Sequence, residues 1–201
     1  MPRLPNPAVG ANFLEAFRAM VGRIEESIRA SGNKKLALPV RMFVAGGMAS
    51  HFYTAKRMTD DVDATFSHRM LLPEDLEVAY RDADGKARLL YFDRQYNDTF
   101  GLLHEDAYRD SLPLKLEGVD PAVVEVRLLS PVDLAVSKLA RFAEHDQDDI
   151  KALAAEGLLN SQALKKRAEE ALKHYIGNPG PLKTSITLAC KLIDVSRPDK
   201  P

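Results

Sequence analysis

The stretch that most constrains this chain is Arg41-Met42-Phe43-Val44-Ala45-Gly46-Gly47, followed by Asp61-Val62-Asp63-Ala64-Thr65-Phe66. An apolar, β-prone run that stops at two glycines reads as a buried strand ending in a turn, because strand interiors do not favour glycine. Met48 to Ala55 then reads as a short helix with one apolar side, ending before Lys56 and Arg57. Backbone N–H groups at a helix start lack intrahelical partners, so they are free to hold a phosphate. Along the second strand the side chains alternate, so Asp61 and Asp63 point one way while Val62, Ala64 and Phe66 point the other. Two carboxylates on one face supply hard oxygen ligands for a divalent cation.

Taken singly, each half has an ordinary structural account. A Gly-Gly pair is commonly a plain turn, and Asp-x-Asp is commonly an exposed strand with its acids in water. Separated by one short helix, the two halves set a phosphate-binding turn beside a metal-binding strand. Phosphoryl or nucleotidyl transfer needs this layout, because in it the protein mainly positions phosphates and neutralises their charge.

Gly46-Gly47-Met48-Ala49-Ser50 with Arg57-Met58-Thr59-Asp60-Asp61-Val62-Asp63 resembles the signature of the DNA polymerase β-like nucleotidyltransferase superfamily, and within it the AbiE-type (AbiEii-like) toxin nucleotidyltransferases. Ser130-Pro131-Val132-Asp133-Leu134-Ala135-Val136-Ser137-Lys138-Leu139, followed by His145-Asp146-Gln147-Asp148-Asp149-Ile150, resembles the Lys-Leu and Asp-x-x-Asp motifs of that group, with His145 where its pattern has Arg or Lys.

The resemblance implies a mixed α/β (α+β) fold: a minimal nucleotidyltransferase core with a small mixed sheet flanked by helices, over residues 1–129, and a C-terminal helical part over 130–201 that packs on the core and closes the nucleotide cleft. It implies that Asp61 and Asp63 bind magnesium or manganese, with a third acid from a later strand, Glu125 or Asp93. Gly46, Gly47, Ser50, Arg57 and Thr59 would hold the nucleoside triphosphate. Lys138 would stand over its phosphates as a point charge, and Asp146 would be a catalytic or site-organising acid. The reaction implied is transfer of a nucleoside monophosphate to an RNA acceptor, the 3′ end of a tRNA, or to a protein hydroxyl, by a toxin with a cognate antitoxin as partner. Two other readings stay open: a small-molecule transferase of the antibiotic-modifying kind, and a non-catalytic nucleotide- or RNA-binding module.

Length and composition set the outer bounds. With 201 residues the chain can bury a full core. Its 45% hydrophobic and 28% charged residues are those of a globular protein. The net charge of -1 gives no general pull toward nucleic acid, so RNA binding would need a local basic surface. A single cysteine, Cys190, excludes an internal disulfide and suits a reducing cytosol. No run is long and apolar enough for a membrane span, and the Pro-containing start lacks a signal peptide's apolar core, so a cytoplasmic protein is expected.

In chain order, Asn12 with Glu15 is expected to cap a first helix whose stripe is Phe13, Phe17, Met20, Val21, Ile24 and Ile28, stopping near Ser31-Gly32-Asn33. Lys34 and Lys35 follow in a connection, where they are expected to be solvated. Pro73-Glu74-Asp75 is expected to open a helix through Tyr80. Arg88 to Asp93 is expected to be a strand entered through an Asp-Gly turn, with Asp93 at its end. His104 has the spacing of neither a metal ligand nor a triad member. Leu114-Lys115-Leu116 and Val123 to Leu128 are expected to form a hairpin with Glu125 and Arg127 on one face.

Ser130, Pro131 and Asp133 make a helix start, and the helix is expected to run on so that Lys138, Arg141 and His145 share a charged side. Asp146 and Asp149 fit an N-cap and its third position, opening a helix to Gly157. Ser161 is expected to cap a helix ending at Gly177, Asn178-Pro179-Gly180-Pro181 to break the chain, and a last helix to carry Ile186, Ala189, Cys190 and Ile193 on one face. The basic residues Lys165, Lys166, Arg167 and Lys173 read first as a solvated helix face.

Overall fold

A computed structural model describes residues 3–30, 36–97 and 101–197. It is a mixed α/β structure in which, among the described residues, two small mixed sheets are accompanied by six helices. Contacts within the chain divide it into two compact units, residues 3–96 with 112–128 and residues 97–111 with 129–197. The expected helix end at Ser31-Gly32-Asn33 and the pair Lys34 and Lys35 lie outside the described residues.

The first unit begins with α1 (Ala11–Arg29), capped by Gly10 rather than by Asn12, whose side-chain amide instead donates to the Arg81 carbonyl at 2.9 Å. Its stripe of Phe13, Phe17, Met20, Val21, Ile24 and Ile28 is buried as the periodicity requires, and each such side chain removed from water contributes about 1.5–3 kcal/mol. Next come β1 (Val40–Val44) and α2 (Gly46–Thr54), which starts at the glycines and ends at Ala55 in the left-handed region, φ 54°. Phe52 of α2 meets Phe17 edge to face at 5.0 Å, and His51 meets Phe13 at 4.5 Å, so the two helices interlock through aromatic rings.

The acid strand expected over Asp61–Phe66 is two strands in different sheets, β2 (Asp61–Val62) and β3 (Ala64–Phe66), with Asp63 at the break. At that point the Asp63 carbonyl accepts from the Ala45 N–H at 2.9 Å, in line with the antiparallel pairing of Val44 in β1 with Ala64 in β3. One sheet has the order β3-β1-β7-β6, where β7 (Val124–Leu128) runs parallel to β1 and β6 (Leu112–Pro113) antiparallel to β7. The hairpin therefore pairs two residues earlier than the expected Leu114–Leu116, although the Leu114 N–H still donates to Val126 at 2.9 Å.

The second sheet has the order β2-β5-β4. It corrects one expectation outright: the residues from Pro73 to Tyr80 are not helical, and β4 (Glu77–Arg81) pairs antiparallel with β5 (Ala87–Phe92). Leu76, Val78 and Tyr80 alternate with Glu77 and Ala79, a period of two, and the Asp82–Gly85 turn, with Gly85 at φ 77°, folds the two runs onto each other. The ladder outweighed the helix-start chemistry of Pro73, Glu74 and Asp75.

The second unit is helical: α3 (Pro131–Ser137), α4 (Glu144–Ala155), α5 (Ser161–Leu172) and α6 (Pro179–Ser196), with α6 packed on α4 and α5 and α3 packed on α5. Ser130 caps α3 as expected, accepting from the Asp133 N–H at 3.2 Å. The helix then stops at Ser137 instead of continuing to His145, and Phe142 takes a left-handed turn at φ 48°. Lys138, Arg141 and His145 therefore do not share one helix face. Asp146 is not the N-cap of α4 but its third residue, its carboxylate accepting from the Ala143 N–H at 3.1 Å. Asn160 caps α5, which ends at Leu172 rather than at Gly177, and the expected break at Asn178-Pro179-Gly180-Pro181 is the cap and first turn of α6. Among the described residues, no helix is long and apolar enough to cross a membrane.

Candidate active site

In the first unit, the Gly-Gly turn and the acid strand meet directly. Gly46 has φ 57° and its missing Cβ would fall on the Asp63 carboxylate, so glycine is required twice over, for the backbone and for the space. A Cβ on Gly47 would lie 3.1 Å from the Thr59 hydroxyl and 3.6 Å from the Arg57 guanidinium carbon. The Thr59 hydroxyl, itself buried, donates to the Asp61 carboxylate. Gly46, Gly47, Arg57, Thr59, Asp61 and Asp63 thus form one cluster around the start of α2. The positive end of the helix and a guanidinium stand beside two carboxylates, a set of charges suited to an anion and a cation bound together.

Ser50 is completely buried one turn into α2, and among the described residues nothing hydrogen-bonds its hydroxyl. Asp93 comes alongside the acids. β5 runs parallel to β2 with Asp61 opposite Tyr91, and the Asp93 N–H donates to the Val62 carbonyl at 3.1 Å, which sets Asp93 next to Asp63 on the neighbouring strand. Glu125 is not brought there. It pairs in register with Arg41, four residues before Ala45 and so roughly 13 Å away along β1. Its carboxylate is held by Arg127 at 2.5 Å and Arg41 at 3.1 Å.

Magnesium takes one or two protein carboxylates and fills its remaining positions with water and substrate phosphate oxygens. Among the described residues no three His, Cys, Asp or Glu side chains gather closely enough to hold an ion by themselves. The Asp61 and Asp63 pair fits the substrate-completed type of site, because its donors are hard oxygens and a phosphate-binding turn lies against it.

Lys138 and Asp146 lie in the helical unit. The Lys138 ammonium is buried 2.6 Å from Asp149 and 3.7 Å from Asp146, and Arg141 grips Asp146 with two hydrogen bonds of 2.8 Å. Burial pushes the Asp146 carboxyl up, but the Arg141 hydrogen bonds, the charges of Lys138 and Arg141 and the Ala143 N–H together bring it below the usual carboxylate range. His104, also in this unit, accepts from the Asp106 N–H at 3.1 Å and lies 3.7 Å from Glu170.

Sequence reasoning passed over two residues at the acid strand. Asp60 has one carboxylate oxygen buried with no hydrogen-bond partner among the described residues, and the other 3.7 Å from Arg88. Tyr91 is 41% exposed beside Asp61, whose charge, followed by burial and then Asp93, Asp60 and Asp63, holds its phenol above the usual range. The period-two alternation of Leu89, Tyr91 and Asp93 carried the signal for Tyr91, once Asp93 was placed at the site.

A family model described as a nucleotidyltransferase of unknown function matches residues 23–180. No curated protein and no solved structure matches the chain.

Proposed function

The chain belongs to the DUF6036 family of nucleotidyltransferases of unknown function, and we propose that it moves a nucleoside monophosphate from a nucleoside triphosphate to an acceptor hydroxyl, with pyrophosphate leaving. The observation that carries this reading is the fit of Gly46 against Asp63, which sets the start of α2 against the acid pair. The first N–H groups of α2 and the Arg57 guanidinium receive the terminal phosphates, and Thr59 fixes the orientation of Asp61 by its hydroxyl. Asp61 and Asp63 would hold magnesium or manganese, which when bound offsets the charge on the phosphates. Of the two later acids, strand register favours Asp93 over Glu125, and Asp93 stands beside the pair rather than as a third ligand. Lys138 and Asp146 are assigned here to their ion-pair cluster, since Asp149 holds the Lys138 ammonium.

The finer proposal, that the acceptor is a tRNA 3′ end or a protein hydroxyl and that the chain is a toxin with an antitoxin partner, is supported by the motif resemblance alone. One observation favours a second reading, a small cationic acceptor: Asp60 and Asp93 add negative charge around the acid pair. The test is incubation with magnesium and each α-labelled nucleoside triphosphate, with total tRNA or an aminoglycoside, using Asp63→Asn as control. Label in RNA, lost in the variant, supports the RNA acceptor. Label in protein redirects the assignment to a protein hydroxyl, and label in the aminoglycoside supports the second reading. No labelled product with any acceptor sinks the transferase.

A further inference from the structure

The acid strand has two edges, and they face different things. The Asp63 carbonyl accepts from Ala45 at the head of α2, whereas the carbonyls of Asp60 and Val62 accept from Tyr91 at 2.8 Å and Asp93 at 3.1 Å on β5. The phosphate-binding turn and β5 therefore flank the acids on opposite sides. Residues paired in register across neighbouring strands point to the same face, so Tyr91 projects on the side of Asp61, with Leu89 next along β5 and Ala79 across from Leu89 on β4. Tyr91 is 41% and Leu89 45% exposed, a shelf of one aromatic and one aliphatic side chain open to solvent at the edge of a highly charged site.

We propose that this shelf, Tyr91 with Leu89, is the stacking platform for the base of the donor nucleotide. The inference rests on the reading of the acid pair as a nucleoside triphosphate site. With the terminal phosphates on the α2 side and the metal-binding acids in the middle, the rest of the nucleotide leaves the acids on the β5 side, about one strand spacing, 4.8 Å, beyond Asp61. The occupant there is an uncharged ring rather than another phosphate, because the Asp60 and Asp93 carboxylates act on Tyr91 beside the metal-binding pair and would repel an anion. A planar base covers both side chains and needs no hydrogen bond from them, so the platform accepts every base.

The test separates base from phosphate. Binding of an α,β-methylene nucleoside triphosphate and of inorganic tripolyphosphate is measured with magnesium for the unaltered chain, Tyr91→Ala, Tyr91→Phe and Tyr91→Trp. Tyr91→Ala is expected to weaken the nucleotide analogue about ten-fold and to leave tripolyphosphate within two-fold, while Tyr91→Phe binds both normally. The chain contains no tryptophan, so Tyr91→Trp supplies a single reporter whose fluorescence the analogue should quench and tripolyphosphate should not. Equal weakening of both ligands by Tyr91→Ala, or of neither, overturns the platform while leaving the phosphate site standing. So does a Tyr91→Ala defect confined to the KM of the acceptor. Failure of the unaltered chain to bind either ligand removes the underlying site and the platform with it.

Discussion

The Asp63 carboxylate occupies the position where a Cβ on Gly46 would stand. One glycine thereby couples the head of α2 to the strand that carries the acids, and an added methyl group must displace Asp63. Gly46→Ala is expected to lower transfer activity about 10²-fold, the scale of a misplaced catalytic group. Gly85→Ala meets open space at φ 77° and should show only the backbone cost of about 1–2 kcal/mol. Thermal melts and single-turnover rates of the two variants check this, and an active Gly46→Ala protein would sink it.

Asp61→Asn and Asp63→Asn keep the shape of each side chain and remove its charge. Either is expected to cut the rate about 10²-fold or more while leaving the melting temperature unchanged or raised, since the acids stand among other carboxylates. Rate measured over a magnesium titration, beside circular dichroism, separates lost metal binding from lost folding.

Thr59→Val removes only the hydroxyl that donates to Asp61. Loss of a partner that orients a metal ligand typically costs 10–100-fold in metal affinity, so the magnesium concentration giving half-maximal rate should rise by about that factor. An unchanged magnesium dependence would show that Asp61 is oriented without Thr59.

Lys138→Met leaves the buried carboxylates of Asp149 and Asp146 without its ammonium, and breaking such a cluster costs about 3–5 kcal/mol. Lys138→Met combined with Asp149→Leu should recover part of that loss, as a double-mutant cycle by urea unfolding would measure. If Lys138 instead bound phosphates, the single variant would raise the KM for nucleotide and leave stability intact.

His51 is buried against Phe13, and burial lowers its pKa below the ordinary 6.5 against a smaller opposing pull from the Arg57 backbone. Between the folded and unfolded pKa values the unfolded chain binds the extra proton, so stability falls as the pH drops below about 6.5, by up to about 1.4 kcal/mol per pH unit. His51→Phe is expected to flatten that part of the stability profile, measured by unfolding between pH 7 and pH 5. An unchanged slope would assign the acid sensitivity to other groups.

The sequence by itself determined what nearest neighbours decide. The α1 stripe, β1, the Ser130 cap and the placement of Gly46 and Gly47 before Asp61 and Asp63 are legible because apolar period, cap chemistry and glycine's freedom act within a few residues. The tertiary structure decided the rest. Glu77 to Arg81 became a strand because β5 offered a ladder that no local propensity reveals, and the acid strand divides at Asp63 because β5 pairs with the residues before it and β1 with those after it. The same contacts drew Asp93 and Tyr91 to the acids, left Glu125 with Arg41 and Arg127, and ended α3 before Lys138. A hydrogen-bonding edge or a buried charge must be satisfied by whatever the fold brings near, and that partner is set by three-dimensional closure rather than by spacing along the chain.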